Sequence, residues 1–325
     1  MNMQRQTRFP AFRALVAAAL ALACTVAAAQ DYPSKPVRIM VGFPPGGSVD
    51  IVARVLGQKL GEQMGQSFVV DNKPGAIGTL AMNAMGSVPA DGYTILLGTN
   101  PQVRAGMTDK DDPYRKFEPI ALTSVIPMAL LANPGFAASD ARAFADLARK
   151  SEPVPFATPG RGSPMELAMA SLKARAGLNL LHVPYNGGPP AVNDTMAGQV
   201  PLVAVGLPTA LGQVTAGKLK PIAVLQDRRT ELLPGVPTIG ESLGVADSGF
   251  VVWLGFFAPV NTPAPVIERL QAEVGKALAD PQVRAKLQGA ALEVRFAPAA
   301  QLDRLVREQF VLTIDTMQKY GNDTK

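Results

Sequence analysis

From residue 32 onward, short apolar runs alternate with stretches whose apolar residues recur every three or four positions. The runs predict strands over 37–43, 68–71, 93–98, 128–132, 154–157, 181–184, 200–205, 219–225 and 250–258. The periodic stretches predict helices over 49–64, 79–85, 141–150, 164–176, 189–197, 209–216, 264–279, 281–288 and 299–320. Near-continuous apolar strands alternating with helices are the pattern of parallel sheets covered on both faces, so the predicted fold class is α/β. Two stretches break the rhythm. Residues 100–119 are polar and carry Asp109-Lys110-Asp111-Asp112-Pro113, and residues 226–236 carry Arg228-Arg229 and Pro234-Gly235. Between them lies a segment long enough to be a domain. The expected organisation is a discontinuous first domain, residues 30–100 plus 227–325, a second domain, residues 101–226, and a hinged cleft between them.

The first 29 residues follow a different pattern. Arg5, Arg8 and Arg13 precede an apolar stretch, and Ala27-Ala28-Ala29 fits a small-residue cleavage site, so 1–29 reads as an export signal. Its apolar part is Ala-rich and short for a membrane span. Cys24 is the only cysteine, and Ala21-Leu22-Ala23 before it is a poor match to a lipoprotein site. Cleavage after Ala29 leaves about 300 residues, enough to bury a large core without disulfides. It also lowers the formal charge of +5 by three, and no basic stripe is interleaved with aromatic residues, so nucleic acid is not an expected partner. With no second long apolar stretch, the exported protein is expected to be soluble, and a monomer is expected.

One arrangement occurs twice. Strand 37–43 feeds Pro44-Pro45-Gly46-Gly47-Ser48 and then a helix; strand 154–157 and Thr158 feed Pro159-Gly160-Arg161-Gly162-Ser163 and then a helix. The glycines let backbone approach a ligand, and each serine is placed to cap a helix whose free N–H groups favour an anion. Ser163-Pro164-Met165-Glu166 reads as a capping box, and Asp50 and Arg54 are spaced to pair on one helix face. Capping alone explains each serine. It does not require the duplication of glycine-rich turns fed by strands, which predicts two jaws closing on one small carboxylate. The expected donors are the N–H groups around Gly47, Ser48, Val49 and Asp50 in the first turn and Gly160, Arg161, Gly162 and Ser163 in the second. Phe43 and Pro44 would wall the pocket, with Thr99, Asn100, Thr158 and Tyr185 at its rim.

Catalytic chemistry finds little support. The one histidine, His182, sits in the apolar run Leu180-Leu181-His182-Val183-Pro184, where a satisfied buried ring is expected rather than a general base. Ser163 is not in a Gly-x-Ser-x-Gly elbow, and Pro44-Pro45-Gly46-Gly47 does not match a dinucleotide fingerprint. One histidine without cysteine leaves zinc without its usual ligands, and Asp109-Lys110-Asp111-Asp112 lacks the glycine and terminal glutamate of a calcium loop. No catalytic residue, metal site or cofactor is predicted.

An ordered set of motifs spans nearly the whole chain after residue 29. It comprises Tyr32-Pro33-Ser34-Lys35-Pro36-Val37-Arg38, Phe43-Pro44-Pro45-Gly46-Gly47-Ser48-Val49-Asp50-Ile51-Val52-Ala53-Arg54, Asn72-Lys73-Pro74-Gly75-Ala76, Asp91-Gly92-Tyr93-Thr94, His182-Val183-Pro184-Tyr185 and Leu233-Pro234-Gly235-Val236-Pro237-Thr238. Together these residues resemble the Bug family, the periplasmic receptors of tripartite tricarboxylate transporters. The resemblance implies a type II periplasmic-binding-protein fold with two domains and a cleft. It also implies a carboxylate ligand held by backbone N–H groups and water, and delivery to membrane permease subunits. A periplasmic sensing partner that reports the same solute to a receptor kinase is the alternative. Two departures from the family pattern bear on specificity. Arg161 stands where small or uncharged residues are common, and could take a second anionic group. Val205 stands where an acid often faces the cleft, which removes a partner for an ammonium group.

Overall fold

The computed structural model describes residues 32–75, 78–101, 107–150 and 152–320. The expected export signal and Cys24 lie outside the described residues. Among the described residues, eleven strands form two sheets. The first sheet contains β1 (Val37–Val41), β2 (Phe68–Asn72), β3 (Thr94–Thr99), β4 (Phe117–Ile126), β10 (Val252–Pro259) and β11 (Glu293–Pro298), in the order β11-β4-β10-β3-β1-β2. The second contains β5 (Met128–Ala132), β6 (Val154–Thr158), β7 (Leu180–Pro184), β8 (Leu202–Gly206) and β9 (Lys220–Val224), in the order β7-β6-β8-β5-β9.

The α/β class holds, but the sheets are mixed rather than parallel. β1 pairs in parallel with β2 and β3, and β6 with β7 and β8. β10 runs antiparallel to β3 and β4, and β5 antiparallel to β8 and β9. The strands that carry the chain between sheets are the ones that reverse the pairing.

The helices are α1 (Ser48–Met64), α2 (Thr79–Met85), α3 (Ala141–Lys150), α4 (Pro164–Ala176), α5 (Gly188–Met196), α6 (Leu207–Thr215), α7 (Ile239–Leu243), α8 (Ala264–Ala279), α9 (Pro281–Gly289) and α10 (Ala299–Tyr320). In α1, Val49, Val52, Ala53, Leu56, Leu60 and Met64 are buried, the spacing of one helix face. That face packs with Ile39 and Val41 of β1 in the core of the first sheet. Phe156, Leu167, Met169 and Leu172 do the same for β6 and α4 in the second.

The expected domain boundaries shift. β4 belongs to the first sheet, so the chain crosses at Pro127, between Ile126 and Met128, and not at Asn100. The return also comes later than Gln226: Leu225, Ile239 and Phe250 are buried in the core of the second sheet, and the first sheet resumes at Val252. A third link joins the two halves. α10 starts on the first sheet's core through Leu302 and Val306, and ends with Leu312 and Met317 packed on the second.

Sheet register fixes which edges face each other. β3 ends at Thr99 beside Leu254, and β4 ends at Ile126 beside Val252. Across Pro127, Met128 pairs with Gly206, the last residue of β8. A Cβ added at Gly206 would lie 2.8 Å from the Ile126 side chain, so the strand end abuts the crossing. The C-terminal ends of the parallel strands in both sheets therefore meet at the crossing, where ligands of open α/β sheets bind.

Candidate functional site

The two strand-turn-helix units begin at those edges, and a shared device shapes them. Gly46 and Gly162 take φ of 84° and 73°, a region that only glycine enters at little cost. Each then donates its N–H to an acid four residues on: Gly46 to Asp50 Oδ2 at 2.9 Å, Gly162 to Glu166 Oε2 at 3.1 Å. Asp50 also accepts from Arg54 Nε at 2.8 Å, the expected pair, and from Asn72 Nδ2 at 2.9 Å. Asn72 in turn bonds the Phe43 carbonyl and accepts from Arg54. Asn72 was visible only as part of a motif; no spacing rule points to its bracing role.

The acids differ in electrostatics. Burial alone would raise the Asp50 pKa, but bonds from Arg54, Gly46 and Asn72 outweigh it and hold the carboxyl below its ordinary value. At Glu166 burial wins over the Gly162 bond and the nearby Arg161 charge, so its pKa is raised.

Several expected contacts are otherwise engaged. Ser48 is not a cap: Gly47 is the N-cap of α1, Ser48 is its first residue, and no side chain caps the helix. The ladder starts with Ile51 N–H bonding the Gly47 carbonyl at 2.9 Å, so the N–H groups of Ser48, Val49 and Asp50 precede it. Ser163 is a true cap, accepting from Glu166 N–H at 3.2 Å. The Glu166 side chain bonds Gly162 rather than closing the expected box on Ser163. In the second turn, Gly160 N–H bonds Thr158 Oγ1, Gly162 N–H bonds Glu166, and Ser163 N–H bonds the Gly160 carbonyl.

The rim residues are also placed. Thr158 is fully buried, its hydroxyl 2.7 Å from His182 Nε2. Asn100 bonds the Val251 carbonyl and Trp253 N–H, pinning the return crossing. The Thr99 carbonyl accepts from Tyr114 Oη, and Tyr185 Oη donates to Asp194. Val205 is buried in the second sheet's core beneath α5, and Phe43 packs partly on the first core while Pro44 is exposed. His182 is half satisfied, because Nδ1 is buried without a partner among the described residues. Burial, then the Arg161 charge, push its pKa down to about 4, so the ring is neutral near pH 7.

Two cavities separate these residues. A cleft of about 860 Å³ brings Gly46, Gly47 and Ser48 of the first turn against Pro189, Pro208 and Thr209 of the second half. Arg161 instead lines a cavity of about 530 Å³ on the flank of α4, with Glu166, Lys173 and His182. The cleft holds the start of α1 and lies where the strand ends meet.

A family model described as "Tripartite tricarboxylate transporter family receptor" matches residues 52–321. The chain belongs to that family. Among relatives, the protein BugT of Bordetella pertussis is 34% identical over 285 residues, 86% of each chain. A protein encoded between tcbD and tcbE in Pseudomonas sp. strain P51 is 37% identical over 278 residues, 83% of each. The solved periplasmic binding protein BugD superposes with a TM-score of 0.71 at 33% identity, covering 89% of this chain and 99% of its own. A protein of R. palustris solved with adipate gives 0.76 at 28% identity, covering 90% and 99%. MatC of Rhodopseudomonas palustris, solved with bound malate, gives 0.64 at 25%, covering 90% and 100%. The family is one of solute receptors, and the mixed two-sheet fold is that of its members.

Proposed function

We propose that this chain is a periplasmic receptor that captures a small organic carboxylate in the cleft and hands it to a tripartite tricarboxylate-type permease. The observation that carries this is the start of α1, where the N–H groups of Ser48, Val49 and Asp50 precede the helix ladder and Ser48 lines the cleft. The acids bound by two structural neighbours support the ligand class. Gly46 and Gly47 let the ligand reach this helix end, and the Asp50–Arg54–Asn72 network holds the turn in place. The helix dipole contributes about 0.3–1 kcal/mol, or ~2 when partly buried. A micromolar Kd requires about 8 kcal/mol. Direct N–H bonds to the carboxylate and closure of the two halves around it must supply most of the rest. Native mass spectrometry of the protein purified from its own periplasm tests the reading. A retained organic acid is the expected result; a retained amine or neutral sugar would contradict it.

A further inference from the structure

The cavity on the flank of α4 lies away from the cleft and shares no lining residue with it. Glu166, Met169, Ala170, Lys173 and Ala174 recur three and four residues apart, so they form one face of α4, and that face lines the cavity. Phe156 of β6 and Leu180 and Leu181 of the edge strand β7 supply more of the lining. Phe156, Met169 and Leu180 are buried, whereas Leu181 is 53% exposed, which gives the space an apolar floor and an apolar lip. Alanine at 170 and 174 leaves the helix face shallow. At about 530 Å³ the cavity falls within the range of small-molecule sites, roughly 300–1,000 Å³.

The charged lining is unbalanced. Arg161 and Lys173 bring positive charge, and Glu166 is the only acid among the described residues that line the cavity. Glu166 is buried and accepts from Gly162 N–H, and burial favours its neutral form. His182 bonds Thr158 through Nε2 and is neutral near pH 7, so it adds no charge. Arg161 and Glu166 stand at one end of the helix face. Lys173 stands at the other, about two turns or roughly 10 Å along the axis, with apolar surface between.

We propose that this flank cavity is a second ligand site, separate from the cleft, which takes an elongated amphipathic carboxylate. The apolar chain lies along Met169, Ala170 and Leu181, and the carboxylate sits at Lys173. Burial of the chain drives binding, and charge sets its direction. An alkylammonium of the same length would be repelled at Lys173, and at the other end it would meet an acid beside Arg161 that disfavours its own charged form. The site does not depend on the receptor reading.

His182 is the one histidine of the chain, so its ring gives a single set of NMR signals from within the cavity lining. These signals are followed while the intact protein, without a histidine tag, is titrated with octanoate, octanamide and octylamine. Octanoate is expected to shift them saturably, octanamide to bind more weakly, and octylamine to leave them in place. Lys173→Met keeps the apolar stem and should weaken octanoate by about fivefold or more. Ala174→Trp, at an exposed position, should abolish the shift by filling the space. Octylamine or octanamide that matches octanoate would overturn the proposal. So would the lack of a saturable shift with octanoate, or a shift unchanged in both variants, which would be relayed from the cleft. The receptor reading is decided separately, by the solute the purified protein retains.

Discussion

Asp50 and Glu166 occupy equivalent places in the two turns, yet their surroundings drive their titrations in opposite directions. Asp50 has its pKa lowered from 3.8, so its contribution to stability is present above that value and is lost as pH falls through the folded pKa. Glu166 has its pKa raised from 4.5, so the linked stability is full below that value and is lost as pH rises through the folded pKa. Asp50→Asn should therefore cost about 1.5–3 kcal/mol near neutral pH, the worth of bonds to a charged group, and the loss should shrink in acid. Glu166→Gln keeps an oxygen for Gly162 N–H and removes the buried charge. It should gain stability relative to the parent as pH rises from 4.5. Urea melts of the three proteins across acidic to neutral pH check both signs; a Glu166→Gln variant that loses stability with rising pH would contradict the assignment.

The return crossing is where single hydrogen bonds matter most to an element. Gln309 of α10, itself buried, accepts from Val251 N–H at 2.8 Å and donates to the Gly249 carbonyl at 2.7 Å. Gln309→Ala leaves both groups without that partner and should destabilise the protein by about 1–3 kcal/mol, read by denaturant melts. A neutral result would mean that water or a shifted backbone replaces the glutamine.

The elements that were legible share a property: they are long enough to show a period or apolar enough to show a run. β5 and α10 lie where the pattern put them. β4 was missed because Glu118 and Pro119 interrupt its start, and Thr123 and Ser124 are buried polar residues within it. The structure tolerates Pro119 because the β4–β10 register shifts beside its partner Phe257. β11 is a short edge strand with charged residues, and α7 spans only five residues, too few for a period. At the site, the turns and the Asp50–Arg54 pair could be read from spacing. The fate of each N–H could not, because it depends on partners such as Asn72 and Glu166 that only the folded turn brings close.

For the whole molecule, these details make two superficially equivalent jaws unequal. The pattern of strand, Pro-Gly turn and helix is repeated, but α4 begins with a proline and the Gly160 and Gly162 N–H groups bond inside their turn, whereas α1 begins without one. The halves are joined by the crossing at Pro127, the return near Val251 and the span of α10, three links rather than the two expected. The central claim is that the carboxylate sits on the first N–H groups of α1. Ser48→Pro tests it most directly, because Gly47 has the extended backbone (φ −79°, ψ 168°) that a following proline requires and proline suits the first helical position. The substitution removes one donor and keeps the fold, while Ser48→Ala removes only the hydroxyl. Calorimetry with the best-binding acid should show Ser48→Pro weakened by about tenfold or more, the worth of one charged hydrogen bond, and beyond any loss in Ser48→Ala. Equal affinities for the proline and alanine variants, with melting temperatures unchanged, would place the carboxylate elsewhere.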